Sequence, residues 1–240
     1  MERDISSLLS EITAALEAVA EPGFKEKQQH YSKEAINSIG VRTPMVRKIG
    51  KEFYPRVKPL PIDELLVVCR AVLEMRTVEH RNIAFAWAFR RKKDLLPSHF
   101  EVLFGWLNDF VSNWADCDQL CCEVFGQFMI RYPEFYSETR KWALSDSRWL
   151  RRASAVILIP ELRKTCTQLP LLFELTLQLL PDQDDLVQKG YGWALKVSTQ
   201  VKEAETLAFV MKHRADFPRT ALRYAVEKLT KEQRAAALNI

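Results

Sequence analysis

The chain has 240 residues, of which 48% are hydrophobic and 28% are charged, and its formal net charge is +4. This composition indicates a soluble globular protein, and the absence of any run of about eighteen apolar residues excludes a transmembrane helix. The mild positive charge permits a nucleic-acid partner without requiring one. Glycine is scarce, with 7 residues, which favours helices joined by short turns over a sheet-rich fold.

Apolar residues at helical spacing dominate the first part of the chain. Pro22-Gly23 ends the first such run. Thr43 before Pro44 is typical of an N-cap followed by proline at the first helical position. Three prolines within residues 55–61 predict a loop. The helices predicted in this part span residues 3–20, 45–54, 62–75 and 78–92.

From residue 98 onward, first and second helices alternate at a nearly constant step. The second helices are predicted to begin near residues 116, 148, 184 and 218, a step of roughly 32–36 residues. Such a step is typical of antiparallel helix pairs stacked as an α-solenoid. The sequence therefore predicts an all-α fold in one domain over residues 1–240, with a capping helix in 1–22 and repeats in 23–230.

The opening turns of the second helices carry polar and aromatic groups that the first helices lack. Stacked helices present equivalent positions on one side, so these groups are predicted to line one concave, basic face. A basic concave face about as wide as a duplex favours DNA binding, although each basic residue could also be an ordinary solvated one. The groups are Arg76, His80, Arg81, Trp114, Asp118, Arg148, Arg151, Arg152, Gln188, Lys189, Trp193, Arg219 and Arg223.

Trp114 and Asp118 stand four residues apart and therefore share one face of a helix. A carboxylate beside an indole ring is unfavourable in a core, because the charge must lose its hydration. On a surface, the carboxylate attracts positive charge by Coulomb forces and the ring attracts it through its quadrupole. The pair thus predicts a site that meets positive charge. Together with the arginines of residues 149–152 and with Trp193 at successive repeat-like positions, it predicts a surface for a cationic ligand, a polyanionic ligand or one that is both.

Four motifs together resemble the AlkD-type DNA alkylation-repair glycosylases, which are built from HEAT-like helical repeats. The resemblance covers roughly residues 20–230. In chain order the motifs are Tyr31 ahead of the Gly-x-x-x-Pro-x-x-Arg segment that ends at Arg47, the Trp114 and Asp118 pair, the Trp-Leu-x-Arg segment that ends at Arg152, and Gly192-Trp193. The resemblance implies a solenoid of HEAT-like helix pairs.

It also implies an enzyme that excises cationic N-alkylated purines, such as N3-methyladenine and N7-methylguanine, from duplex DNA while the lesion stays stacked. Asp118 would stabilise the oxocarbenium-like sugar and position the attacking water. Trp114 and Trp193 would pack on the deoxyribose and the cationic lesion. Arg152 would hold a backbone phosphate, and Tyr31 would complete the aromatic rim.

Further DNA contacts are predicted for Arg47, Arg148, Arg151 and Lys189. The expected partner is double-stranded DNA with alkylated bases, and the chain is expected to act as a monomer without cofactor or metal. No lysine stands out as a Schiff-base nucleophile, so the enzyme should be monofunctional. The charged N-terminus and the odd number of cysteines, 5, predict reduced thiols in a bacterial-type, nucleoid-containing cytoplasm.

Several residues have a second interpretation. Trp114 could belong to the core, and Asp118 could cap a helix that follows residues 114–117. Asp116 competes with Asp118 for the catalytic role.

Two further alternatives concern the C-terminal half. Arg151 rather than Arg152 could face DNA, and Trp193 could simply fill space left by Gly190 and Gly192. Trp87, Trp106 and Trp142 lie on apolar helical faces and are predicted to be core residues.

Two other functions compete with the glycosylase. A non-catalytic DNA-binding protein, selective for branched or damaged DNA, would bind in a salt-dependent way without releasing a base. A protein-interaction scaffold would show no DNA binding even at low salt.

Overall fold

The computed structural model describes residues 2–30 and 34–239, with side chains from residue 4 onward in the first range. Within these ranges the secondary structure consists of α-helices and short 3-10 turns, without a strand, so the predicted all-α fold is confirmed. No helix there is both long and apolar enough to cross a bilayer. Tyr31 lies outside the described residues.

The chain divides into two compact units, Met1–Val124 and Phe125–Ile240. The predicted single domain over residues 1–240 stays a prediction. The helices of the first unit are α1 (Glu2–Glu17), α2 (Phe24–His30), α3 (Thr43–Val57), α4 (Ile62–Leu73), α5 (Val78–Arg90), α6 (Phe100–Phe110) and α7 (Trp114–Cys122).

Helix α5 is the centre of the first unit and packs against α3, α4 and α7. It begins because Thr77 caps it, accepting a hydrogen bond from the His80 backbone N–H at 3.3 Å. Trp87 on α5 and Trp106 on α6 are fully buried, as predicted. The Trp87 indole N–H donates to the Gly50 carbonyl of α3 at 2.7 Å, which satisfies the buried ring nitrogen.

Helix α3 differs from its prediction at both ends. It begins at Thr43, and Arg42 occupies the N-cap position without a side-chain hydrogen bond that caps the helix. It also runs through Pro55 to Val57, so the loop predicted over residues 55–61 is wrong for its first part. Pro55 is tolerated because it lies in the last turn, where the Lys58 N–H still closes onto the Tyr54 carbonyl at 2.9 Å.

The second unit contains α8 (Val124–Arg131), which starts at the unit boundary, α9 (Thr139–Ala143), α10 (Arg148–Val156), α11 (Ile159–Leu162), α12 (Leu169–Leu179), α13 (Asp185–Thr199), α14 (Glu203–His213), α15 (Arg219–Ala225) and α16 (Lys231–Leu238). Helix α13 is its centre and packs against α10, α11, α12, α14 and α15. Trp142 on α9 is buried, as predicted.

The predicted helix repeat is confirmed by the observed helix starts. Second helices predicted near residues 116, 148, 184 and 218 begin at Trp114, Arg148, Asp185 and Arg219. Two of these starts carry side-chain caps, since Asn113 accepts from the Asp116 N–H and Asp184 accepts from the Leu186 N–H. In these two helices the polar cap residue fixes where the first turn begins.

Candidate functional site

In the first unit, the opening turn of α7 presents the Trp114 ring to solvent. Trp114 is the first residue of the helix and is 43% exposed, so the alternative that it is a core residue is wrong. Asp118 lies one turn later on the same helix and is half-buried. The helix already begins at Trp114, after its N-cap Asn113, and Asp118 lies inside it, so the alternative that Asp118 caps a helix following residues 114–117 is also wrong. The turn brings an exposed indole and a carboxylate together on one helix.

Asp116, the rival carboxylate, is buried beneath this turn and is already held by hydrogen bonds from several neighbours, among them Arg81, Asn113 and the Ser112 backbone. Its Oδ2 lies 2.6 Å from Arg81 Nε on α5 and accepts from the Asn113 side-chain amide at 2.5 Å. Burial raises the pKa of Asp116 to about 6, against the opposing pull of Arg81 and Asn113. Asp116 thus ties the start of α7 to α5.

Glu79, which the sequence did not single out, anchors the segment before α3. It is buried in the first turn of α5, and its carboxylate accepts hydrogen bonds from the Ser38 hydroxyl and from the backbone N–H groups of Ile39, Gly40 and Val41 at 2.7–3.1 Å. Burial acts to raise its pKa, but these donors outweigh burial and hold the pKa below its usual range. The carboxylate therefore fixes the Gly-x-x-x-Pro segment in place.

A cavity of about 340 Å³ opens beside Trp114, between the starts of α3, α5 and α7. We call it the Trp114 cavity. One part of its lining is apolar, and the other part consists of carboxamides and the two buried carboxylates just described. The described lining residues are Gln28, Ile36, Val41, Thr43, Val46, Val78, Glu79, Asn82, Asn113, Trp114, Ala115, Asp116 and Gln119.

Arg47 lies on the exposed side of α3 at a second cavity of about 300 Å³. Lys51 and Arg90 also line this cavity, so three cationic side chains meet there with a single carboxylate, Glu123, among the described lining residues. Asn82 and Gln119 line both cavities. This cluster of positive charge is the kind of surface that attracts a phosphate backbone.

In the second unit, Arg152 is a buried residue of α10, 5% exposed. Its Nη1 donates to the Leu186 carbonyl at the start of α13. Gly190 lies against it, since a Cβ at that position would be 3.1 Å from Arg152 Cγ. The sequence left open whether Arg151 or Arg152 faces DNA. In the structure the Arg152 guanidinium is buried, and the Arg151 guanidinium is more exposed.

Three basic residues predicted to contact DNA each have an acidic partner near the start of α13. Arg148 lies 2.6 Å from Asp184, Arg151 lies 2.6 Å from Asp182, and Lys189 lies 3.0 Å from Asp185. Arg151 Nη1 also donates to the carbonyls of Ser145 and Asp146. These carboxylates offset the positive charge of the basic residues from which the sequence pattern predicted DNA contacts.

Trp193 is half-buried on α13, and the guanidinium of Arg163 lies 5.8 Å from the centre of its ring. Gly192 beside it allows α13 to approach α15 closely, because a Cβ there would be 2.8 Å from Tyr224 Cβ. The glycines around Trp193 therefore face Arg152 and α15 and make room for those neighbours.

The cysteine cluster of α7 belongs to the core. Cys117 and Cys121 are fully buried, and burial is the largest cause raising the pKa of the Cys121 thiol well above its usual range. Among the described residues, no group of three or more His, Cys, Asp or Glu side chains is arranged to hold a metal ion.

A family model described as "DNA alkylation repair enzyme" matches residues 12–229. No curated protein sequence matches the chain significantly. Among solved structures, a protein described as a predicted DNA alkylation repair enzyme from Enterococcus faecalis aligns over 88% of this chain and 97% of its own. Its TM-score is 0.76 and its sequence identity is 18%, so this likeness establishes the fold alone.

Proposed function

The chain belongs to the DNA alkylation repair enzyme family, and from that membership we propose that it hydrolyses the N-glycosidic bond of cationic N3- or N7-alkylated purines in duplex DNA. The observation that carries the proposal is the first turn of α7, which offers an exposed Trp114 ring with Asp118 one turn away. An indole face and a carboxylate suit a substrate whose base, and then whose sugar, is positively charged.

In the proposed reaction, the bond from the sugar C1′ to the purine nitrogen breaks and the base leaves with the electron pair. Alkylation has already made the base cationic, so it departs as a neutral molecule without a general acid. Water adds its oxygen to C1′, and its proton passes to Asp118 or to solvent. Asp118 stabilises the oxocarbenium-like sugar by Coulomb attraction while this charge exists.

The remaining predicted residues would hold the DNA. Trp114 and Trp193 would pack on the deoxyribose and lesion, each contributing roughly 0.5–2 kcal/mol by cation–π attraction. Arg152 would contact a phosphate beside the lesion. Its contact with the Leu186 carbonyl suggests a second task, which is to fix the first turn of α13.

Contacts with the DNA backbone farther from the lesion would come from exposed basic side chains. The Arg47 cluster supports a role in phosphate binding. Arg148, Arg151 and Lys189 would contribute less, since nearby carboxylates offset their charge. Tyr31 keeps its role as a prediction from the family resemblance.

The test is single-turnover release of N7-methylguanine from a defined duplex by wild type and by Asp118→Asn. We expect release by wild type and a loss of about 100-fold or more in the variant, since electrostatic stabilisation of a transition state is commonly of that size. Asp109→Asn, which alters an exposed carboxylate of the same unit, is the matched control and should retain full activity.

Two outcomes would contradict the proposal. Undiminished release by a folded Asp118→Asn protein would refute the role of Asp118. DNA binding without release by wild type would refute the glycosylase and favour the non-catalytic DNA-binding alternative.

A further inference from the structure

One buried residue holds the turn that follows α11. The backbone N–H groups of residues 164–168 all donate to the carbonyl or carboxylate oxygens of Glu161, at 2.8–3.3 Å. The hydroxyl groups of Thr165 and Thr167 donate to the same carboxylate. We call residues 163–168 the Glu161 loop. Because its backbone donors are satisfied by one residue that is 5% exposed, the loop presents its side chains in fixed positions.

The Glu161 loop exposes two adjacent cationic side chains, Arg163 and Lys164. Among the described residues, no carboxylate forms an ion pair with either of them, and Lys164 Nζ donates to the neutral Gln127 side chain at 3.2 Å. The nearby Glu161 carboxylate is buried and already accepts four hydrogen bonds from the loop. Arg163 and Lys164 therefore keep a positive charge that can attract an anion, whereas the basic residues near the start of α13 are offset by carboxylates.

The Arg163 guanidinium lies against the ring of Trp193, 5.8 Å from the ring centre. At that distance cation–π attraction favours the contact and restricts the direction of the guanidinium. A guanidinium supported in this way still has N–H groups at its edge for a bidentate contact with a phosphate. Arg152, the other arginine beside α13, is buried and donates to the Leu186 carbonyl. Arg163 is therefore the more accessible of the two.

We propose that Arg163 binds a backbone phosphate of duplex DNA beside the lesion, in addition to the phosphate assigned to Arg152. Lys164 strengthens the positive potential at the same loop. The inference rests on the proposed function, because Trp193 is the residue expected to pack on the deoxyribose of the lesion. Its neighbour Arg163 would then lie close to the phosphates that flank that sugar.

The first experiment measures the binding of the whole protein to a fluorescently labelled duplex by anisotropy at several salt concentrations. The duplex carries one tetrahydrofuran abasic site, which has no base to excise. Arg163→Gln should reduce the slope of log K against log salt by about 0.9, the value for one lost phosphate contact. Arg163→Lys should keep the slope but bind more weakly, because lysine keeps the charge and lacks the planar fork. Arg234→Gln, at an exposed position of the same unit, is the matched control and should keep both the slope and the affinity.

The second experiment locates the phosphate. Uncharged methylphosphonate linkages replace the phosphates around the abasic site one at a time. In wild type, the affinity should fall when the phosphate that Arg163 contacts is made neutral. In Arg163→Gln the same replacement should have no further effect, while the effects of replacements at other positions should persist.

Three results would overturn the inference: no binding of the duplex by wild type even at low salt, a wild-type slope in Arg163→Gln, or methylphosphonate effects that are the same in wild type and in Arg163→Gln. The last result would mean that Arg163 acts only through the general positive field. Arg163 is exposed, so its variants should fold, and circular dichroism checks this.

Base release from a duplex with N7-methylguanine is assayed separately. A reduced slope and one lost phosphate contact in Arg163→Gln, without excision by wild type, would refute the proposed function alone. Excision by wild type with an unchanged slope in Arg163→Gln would refute this inference alone.

Discussion

Arg81 Nε lies 2.6 Å from Asp116 Oδ2, and the two side chains are only 3% and 6% exposed. This ion pair joins the first turn of α5 to the first turn of α7. Asn113 extends it, since its amide donates to Asp116 while its oxygen caps the same helix. The pair therefore sets the position of Trp114 and Asp118 relative to α5.

Replacing one member of this ion pair should destabilise the protein far more than replacing both members. Arg81→Met or Asp116→Leu alone leaves a buried charge without its partner, and we expect each to reduce the free energy of unfolding by about 3–5 kcal/mol. The double variant should lose much less than the sum of the two. Urea denaturation of the four proteins measures the coupling.

The matched control for this cycle is the exposed pair Arg70 and Glu74, whose nitrogen and oxygen lie 3.3 Å apart on α4. Exposed pairs contribute little, so the corresponding variants should differ little from wild type. If the two single losses at Arg81 and Asp116 simply added, the buried pair would not be a coupled unit.

Lowering the pH should test the same ion pair, because Asp116 then takes up a proton. The pKa of Asp116 is raised by burial from 3.8 to about 6, so the folded state takes up its proton at a higher pH than the unfolded chain. The stability contributed by protonated Asp116 is therefore full below about pH 4 and is lost as the pH rises through about 6.

His80 acts in the opposite direction, because burial lowers its pKa from 6.5 to about 4 and its stabilising contribution is lost as the pH falls. Asp116→Asn removes only the first effect. The free energy of unfolding of wild type minus that of Asp116→Asn should consequently increase as the pH falls from about 7 to about 4. Urea denaturation across this range tests the sign, and a difference that shrinks on acidification would exclude a raised pKa at Asp116.

Glu79→Gln should release the segment that leads into α3. The neutral amide replaces a carboxylate that accepts from Ser38 and from the N–H groups of Ile39, Gly40 and Val41. A loss of about 2–4 kcal/mol is expected, because hydrogen bonds to a buried charge are strong and the amide N–H group, placed where Oε2 was, would face the Ile39 N–H donor. Amide hydrogen exchange at Ile39 and Val41 should accelerate. Unchanged exchange in a destabilised protein would assign Glu79 a general packing role.

The helix pattern was predictable from the sequence because it depends on local features. Apolar spacing and turn residues placed the second helices within two residues of their observed starts at Trp114, Arg148, Asp185 and Arg219. The end of α3 was missed because Pro55 normally stops a helix, but in the final turn it removes only one hydrogen bond.

The partners of the polar side chains were not predictable in the same way. Arg81 and Asp116 are separated by 35 positions, and nothing in the local pattern of either identifies the other. Glu79 looks like an ordinary acidic residue at a helix start, where the helix dipole favours it. Arg151 and Arg152 are neighbours in sequence, yet one is bound to Asp182 and the other is buried against α13. Such differences arise from packing between helices.

Gly192→Ala should disturb the contact of α13 with α15. The added Cβ would lie 2.8 Å from Tyr224 Cβ and 2.9 Å from the Ala221 carbonyl oxygen. Neither neighbour is the flexible end of a side chain, so a loss of about 1–3 kcal/mol is expected. Gly105→Ala on α6 is the matched control. Its Cβ meets nothing within 4 Å, and it should stabilise by about 0.5–1 kcal/mol through helix propensity. Equal effects in thermal or urea unfolding would show that close packing does not explain Gly192.

The salt dependence of DNA binding should separate Arg47 from Lys189. Each phosphate contact that releases a counterion adds about 0.9 to the slope of log K against log salt. Arg47 is exposed beside Lys51 and Arg90, so Arg47→Gln should reduce the slope by nearly that amount. Lys189 lies 3.0 Å from Asp185, and its charge is already offset, so Lys189→Gln should change the slope less. Fluorescence anisotropy with a labelled duplex at several salt concentrations measures both, with Arg70→Gln as the control that keeps the wild-type slope. A larger effect at Lys189 would mean that DNA displaces Asp185 and that the ion pairs at the start of α13 open on binding.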